Sequence, residues 1–244
     1  DKDGKIHGKT TLSAQDVSYE YFDHKGVEGS HQPTPDGGVY GPGIRVPMYV
    51  LSPWSRGGWV NSQVFDHTSI IRFLETRFGV QEPNISPYRR AVCGDLTSAF
   101  NFKTPNSSQL PILAGQKSKV EADAIRKAQE QQSQVSRPAQ QKRPVQEMGI
   151  RPSRALPYIL HCSAKVDTTG QSVKLMFSNT GTAAAVFHVY DRRDLKAIPR
   201  RYMVEPDKQL DDVWITATGQ YDLWILGPNG FHRSFRGDLS SKNQ

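Results

Sequence analysis

Little in this sequence suits a disulfide-bonded, metal-clustered or membrane-spanning protein. Only two cysteines, Cys93 and Cys162, occur in 244 residues. They make neither a framework of bridges nor a zinc-ligand spacing, and two small unreactive thiols are the reading they support. No apolar run approaches the ~18 residues that a spanning helix needs. The first 20 residues, DKDGKIHGKTTLSAQDVSYE, are charged and polar where a secretion leader is apolar, so no signal peptide is expected there. They also lack an initiator Met, which suggests a piece of a longer chain or a processed product. His7, His24 and His31 lie near Asp23 and Asp36, but their spacing matches no zinc set, and none shares a helix face with a second ligand.

Aromatic residues are absent from the most basic stretch, and this bears on partners. The net charge of +7 is unevenly distributed: residues 1–102 carry 10 Lys/Arg against 11 Asp/Glu, 103–154 carry 10 against 4, and 155–244 carry 11 against 9. The excess therefore belongs to a segment without stacking platforms or a recognised module, which argues against nucleic acid. A solvated linker and attraction to an anionic membrane surface both remain open for it. Pro138, Pro144, Pro152 and many Gln residues argue for an extended tether, preceded by one solvated helix in KSKVEADAIRKAQEQQ.

This tether separates two regions of different pattern, consistent with a length that bounds the chain to one or two domains. From Leu156 onward the pattern is all-β. Tyr158, Leu160, Cys162, Ala164 and Val166 alternate, as do Val173, Leu175 and Phe177. AAAVFHVY, RRYMVE, DDVWITA, YDLWILG and FHRSFRG follow, with turns at DTTG, SNTG and GPNG. Seven short strands with turn signals every ~8–12 residues indicate a β-sandwich.

The N-terminal region centres on residues 41–102. Arg45–Leu51 is a short apolar run that suits a buried strand. Ser52–Val64, with Pro53, Gly57, Gly58, Trp54 and Trp59, is loop. Asp66 or Thr68 offers a side-chain oxygen at a helix N-terminus, Ile70, Ile71, Phe73, Leu74 and Phe78 recur at helical spacing, and Gly79 supplies the stop. TLSAQDVSYEYF suits a short strand or a short helix equally, and PDGG is a turn. A strand feeding a loop that ends on a helix is how open α/β sheets place functional groups, so the 52–69 loop is the strongest site candidate. Within it, Asp66 and His67 suit metal or substrate contact, or a helix cap with a packed imidazole. Trp54 and Trp59 suit a quaternary ammonium headgroup, an interfacial contact, or burial under the loop. Arg89 and Arg90 read as surface charge, with phosphate contact as the alternative.

RVPMYVLSPWSRGGWVNSQVFDHTSIIRFLETRFGV, followed by EPNISPYRRAVCGDLTSAFNF, resembles the end of the catalytic domain of bacterial phosphocholine-preferring phospholipases C. These belong to a phosphoesterase family within the alkaline-phosphatase-like superfamily. NTGTAAAVFHVYD, PRRYMVEPDKQLDD and YDLWILGPNGFHRSFRGDL resemble the C-terminal β-domain that follows that catalytic domain, usually in two copies where this chain has one. The resemblance implies an α+β chain: the C-terminal remnant of an alkaline-phosphatase-like α/β domain (1–102), a basic Pro/Gln-rich linker (103–154) and a seven-stranded β-sandwich (155–244). It also implies a phosphoric diester hydrolase that cleaves phosphatidylcholine-type lipids to diacylglycerol and phosphocholine. The intact enzyme would be secreted or periplasmic and would use a divalent metal ion.

The family's nucleophile and acidic metal ligands lie upstream of the resembling segments, so no metal site is assignable here and the chain alone is expected to be inactive. Asp66 and His67 are the catalytic candidates; Trp54 and Trp59 are the substrate-binding candidates. The expected partners are a phospholipid or membrane surface and the missing upstream catalytic region, with no nucleic acid. The alternative function is a non-catalytic β-sandwich module that binds a membrane, a headgroup or a protein.

Overall fold

Alternating apolar residues need two faces to separate, and from residue 160 onward the chain provides them. The computed structural model describes residues 7–23, 34–39, 41–104, 115–143, 145–146, 148–169 and 171–240. Among these it contains eight strands: β1 (Gly8–Thr10), β2 (Leu160–Asp167), β3 (Ser172–Asn179), β4 (Ala185–Asp191), β5 (Arg200–Val204), β6 (Lys208–Ile215), β7 (Gln220–Leu226) and β8 (His232–Asp238). Three α-helices accompany them: α1 (Thr68–Phe78), α2 (Pro87–Val92) and α3 (Lys119–Glu130). Each of the seven segments expected to form strands holds one of β2–β8.

The strands form a five-stranded sheet, β1-β5-β4-β7-β8, and a three-stranded sheet, β2-β3-β6. Inward residues from both sheets build one core: Val173, Leu175 and Phe177 from β3, Phe187 and Val189 from β4, Tyr202 and Val204 from β5, and Leu223 and Ile225 from β7. Phe177 stacks on Tyr202 with ring centres 4.6 Å apart and meets Phe187 at 5.1 Å. Such aromatic pairs add about 1 kcal/mol beyond simple burial. At the turn after β3, the fully buried Asn179 donates to Ala183 O and Val204 O and accepts from Gly181 N–H, so its amide leaves no buried donor unmet.

The seven strands of this region are joined by an eighth, β1, from the other end of the chain. It adds in parallel to the edge of β5, pairing Gly8 with Arg201 and Thr10 with Met203. Glycine is required for this approach: Gly8 has φ +133, and a Cβ there would lie 1.6 Å from Arg201 O. Lys9, from β1, then reaches across to β6 and pairs with Asp212 at 2.8 Å. Asp212 also accepts from Tyr202 Oη at 2.6 Å and Arg200 Nη1 at 3.3 Å. Tyr202 Oη in turn accepts from Trp214 Nε1 at 3.0 Å, and the Arg200 guanidinium lies 3.8 Å from the centre of the Trp214 ring. This network closes the seam between the two sheets.

Residues 1–102 depart further from expectation. Residues 45–50 form no strand, and Val46, Tyr49 and Leu51 are 70–89% exposed. A strand needs a partner to bond its backbone, and among the described residues this run pairs with none. TLSAQDVSYEYF holds a 3-10 turn at Ser18–Glu20, and its Tyr21 bridges to Val39. The helix expected after residue 68 is present as α1, ending on Gly79 with φ 67 and its N–H on Glu75 O. Ile70, Ile71, Leu74 and Phe78 remain 42–68% exposed along it. α3 falls where one solvated helix was expected, with a capping box between Ser118 and Glu121 and every residue exposed.

The Asp212 network generates a pH-dependent expectation. Burial alone would raise the Asp212 carboxyl, but its hydrogen bonds from Lys9 and Tyr202 prevail and hold it below the ordinary value. Its contribution to stability is therefore full above the unfolded carboxylate pKa of about 3.9 and is lost as pH falls through the lower folded value. Asp212→Asn is expected to cost about 2 kcal/mol at pH 7 in urea unfolding, with the difference from the parent shrinking below about pH 4. A difference that does not change with pH would contradict this account of the network.

Candidate functional site

Asp66 stands just before α1 because its side chain organises that helix's first turn. Its Oδ1 accepts from Thr68 N–H at 2.9 Å and from Thr68 Oγ1 at 2.6 Å, while its own N–H donates to the buried Ser69 Oγ at 3.0 Å. Its second oxygen, Oδ2, accepts from Arg89 Nη1 at 2.9 Å. Burial would raise this carboxyl, but the Thr68 and Arg89 bonds outweigh it and keep it below the ordinary carboxylate range. Both oxygens are thus committed to protein donors. His67, the next residue, is exposed and stands at the helix entry without capping it.

Arg89 and Arg90 are not surface charges. α2 starts where Ser86 caps it, accepting from Arg89 N–H at 3.2 Å, with Pro87 in the first turn. This start turns Arg89 inward. Its guanidinium meets Asp66, the Glu20 carboxylate (3.0 Å from Nη2 to Oε2, 3.2 Å from Nε to Oε1) and Gly41 O at 3.2 Å. The Glu20 and Asp66 side chains are only 6% and 8% exposed, so one cation serves two buried anions. Arg90 forks onto both oxygens of Glu75 at 2.9 and 2.8 Å, holding that carboxyl down to about 2. Arg72, from α1, donates to Arg90 O and Cys93 O at the C-terminal end of α2. The two helices are therefore joined by one ion pair and by the hydrogen bonds of Arg72 to the carbonyls at the end of α2.

The aromatic candidates have found partners within the chain. Trp54 tilts against Phe102 at 5.9 Å, in a run of rings that continues through Phe100 to Phe73. The Trp59 ring carries the Arg154 guanidinium 4.4 Å from its centre. That contact is part of a seam in which Val60 N–H donates to Pro152 O and Arg154 N–H to Val60 O, both at 2.9 Å. Further along, Val64 N–H donates to Tyr158 Oη at 2.9 Å, and Val92 and Cys93 pack with Ala184 and Met203 of the β-region. Both cysteines are free, and burial pushes each thiol up to about 12.

Among the described residues, no group of three or more His, Cys, Asp or Glu is gathered to hold a metal ion. His7 is buried beside β1, Asp23 is exposed, and His24 and His31 lie outside the described residues. Asp66 and His67 are adjacent on one loop; Trp54 and Trp59 lie on the same loop with their rings occupied by Phe102 and Arg154. Glu20 was missed from the sequence, and Arg89, read there as surface charge or a phosphate contact, is instead the cation that joins Glu20 to Asp66. The Ser86–Pro87 helix start was the one local signal for Arg89.

Residues 152–238 match the family described as the bacterial phospholipase C C-terminal domain, and residues 16–81 match the phosphoesterase family. A non-hemolytic phospholipase C of Pseudomonas aeruginosa is 53% identical over 239 residues, covering 98% of this chain and 33% of that protein. A non-hemolytic phospholipase C of Burkholderia pseudomallei is 48% identical over 84% of the chain and 29% of its own length. The hemolytic phospholipase C of P. aeruginosa is 40% identical over 82% of the chain and 31% of its own. The chain thus spans about a third of the length of the curated relatives it matches.

The ion triad predicts the outcome of removing its cation. Arg89→Met leaves Glu20 and Asp66 buried without a counter-charge and is expected to lower unfolding free energy by about 3–5 kcal/mol. Arg89→Lys is expected to recover only part of this, because an ammonium lacks the planar fork that meets both carboxylates. Urea unfolding followed by tryptophan fluorescence reads both, and a loss below about 1 kcal/mol for Arg89→Met would refute the triad's structural role.

Proposed function

We propose that this chain, which belongs to the bacterial phospholipases C through its phosphoesterase segment and its C-terminal domain, is the C-terminal portion of an enzyme cleaving phosphatidylcholine-type lipids. The products would be diacylglycerol and phosphocholine. The observation that carries this reading is the ordered pairing of the two matched segments, retained over 98% of the chain in a relative named a phospholipase C. On this reading residues 1–102 close the end of an alkaline-phosphatase-like α/β domain, and 155–244 are its β-sandwich appendage, whose two sheets β1 stitches to the catalytic side.

A divalent metal belongs to the chemistry the family implies, but the described residues do not fit one. The best-placed carboxylate, Asp66, is committed on both oxygens to Thr68 and Arg89. No catalytic step is therefore assigned through a metal held by these residues. Asp66 is the anchor that fixes the loop, and His67 is the exposed group beside it that can meet a substrate. Trp54 and Trp59 are the proposed headgroup contacts, and the guanidinium already on Trp59 indicates a ring face that attracts a cation. For a headgroup to take that face, the Arg154 guanidinium would have to leave it.

The purified 244-residue chain is expected to release no p-nitrophenol from p-nitrophenylphosphorylcholine, with or without added divalent metal. A protein extended upstream to its relatives' full length is expected to turn the substrate over. In that longer protein, His67→Ala is expected to lower turnover about tenfold or more while leaving the unfolding midpoint unchanged, as befits an exposed residue. Chelator-sensitive turnover by the short chain would overturn the assignment of the chemistry to upstream residues.

A further inference from the structure

The connection between β4 and β5, residues 192–199, reads RRDLKAIP. Its two acidic neighbours are turned to internal use. Asp191 Oδ1 accepts from Arg193 N–H at 2.9 Å, and Asp194 Oδ1 accepts from Lys196 N–H at 3.2 Å. Backbone bonds from Asp194 N–H to Asp191 O and from Ala197 N–H to Asp194 O tighten the loop further. Both carboxylates line a cleft of about 340 Å³ shared with Trp214 and Tyr221. Arg193 is held on the same side, donating to Thr218 Oγ1 and Gln220 O at 3.0 and 2.6 Å.

What this bonding leaves outside is two aliphatics and two cations. Leu195 and Ile198 are 63% and 61% exposed, and Arg192 and Lys196 are exposed with no carboxylate partner among the described residues. Arg192 N–H donates to Asp222 O, and its guanidinium lies 5.9 Å from the centre of the Trp224 ring. Trp224 lies 6.0 Å from Tyr190 and 5.8 Å from His232. Arg236, opposite Asp222 in the sheet and 4.0 Å from its carboxylate, keeps a side chain 82% exposed. Exposed aliphatics and cations on one braced loop, with a Trp–Tyr pair beside its Arg192, are the composition of a surface for an anionic lipid interface.

We propose that the β4–β5 loop docks this chain onto an anionic bilayer, with Leu195 and Ile198 entering the headgroup–acyl boundary and Arg192, Lys196 and Arg236 meeting lipid phosphates. The loop lies beyond the elements that carry Asp66 and His67, and the proposal stands independently of where hydrolysis occurs.

Co-sedimentation with phosphatidylglycerol/phosphatidylcholine vesicles, against phosphatidylcholine vesicles alone, tests it without any hydrolysis assay. The chain is expected to pellet with the anionic vesicles and to be released by salt. Leu195→Asp/Ile198→Asp and Arg192→Glu/Lys196→Glu are each expected to weaken partitioning about tenfold or more. Both act at exposed positions and should leave the unfolding midpoint in place. A Leu195→Trp variant is expected to gain blue-shifted emission on vesicle binding, quenched by brominated acyl chains. Failure to pellet would overturn the proposal and leave a protein partner for the loop. Pelleting that is indifferent to both double variants would overturn it too, since the basic 103–154 segment would then be responsible.

Discussion

One guanidinium holds the N-terminal region together. Arg89 reaches Glu20 in the first described segment, Asp66 before α1 and the carbonyl of Gly41, while its own backbone belongs to α2. Few apolar residues are buried in residues 7–104, so shape there depends on charges rather than on a continuous hydrophobic core. Two buried carboxylates without this cation would face the desolvation penalty alone. The position of the Asp66–His67 loop depends on that side chain together with the Thr68 and Ser69 bonds of the helix entry.

The β-region is built on the opposite principle, with aromatic and branched residues from two sheets around one core. The two regions meet along a broad joint: β1 extends the sheet, Lys9 neutralises Asp212, Val92 and Cys93 pack on Met203, and residues 152–154 pair beside Val60. Residues 103–154 lie between them in sequence, and the end of that segment already pairs beside Val60 before the β-strands begin. The matched C-terminal family segment accordingly starts at residue 152, at this seam.

Local pattern reveals some of these features and conceals others. α1 was legible because Ile70, Phe73, Leu74 and Phe78 repeat at helical spacing and Gly79 allows a left-handed stop. β2–β8 were legible because a half-buried strand alternates. β1 was not, since Gly-Lys-Thr carries no periodicity and becomes a strand only beside β5. Arg45–Leu51 misled for the complementary reason: its composition suits a strand, but among the described residues it pairs with none. At the candidate site, Asp66 was readable as a helix-entry carboxylate. Its engagement by Arg89 was not, because that depends on Glu20 arriving from a segment whose pattern was ambiguous between strand and helix.

The parallel pairing of β1 with β5 also bears on the order in which the molecule can assemble. Thr10 and Met203 face each other across 193 positions. During synthesis β1 therefore leaves the ribosome long before β5, and its sheet cannot form until the residues between them have followed. Contacts of such separation form late and slow folding. Until β5 and β6 are in place, Lys9 has no Asp212 to meet, and the ground on which Glu20 and Arg89 come together is unsupported. A segment made early relative to its sheet is thus among the last to be secured, and a nascent-chain chaperone would find it waiting.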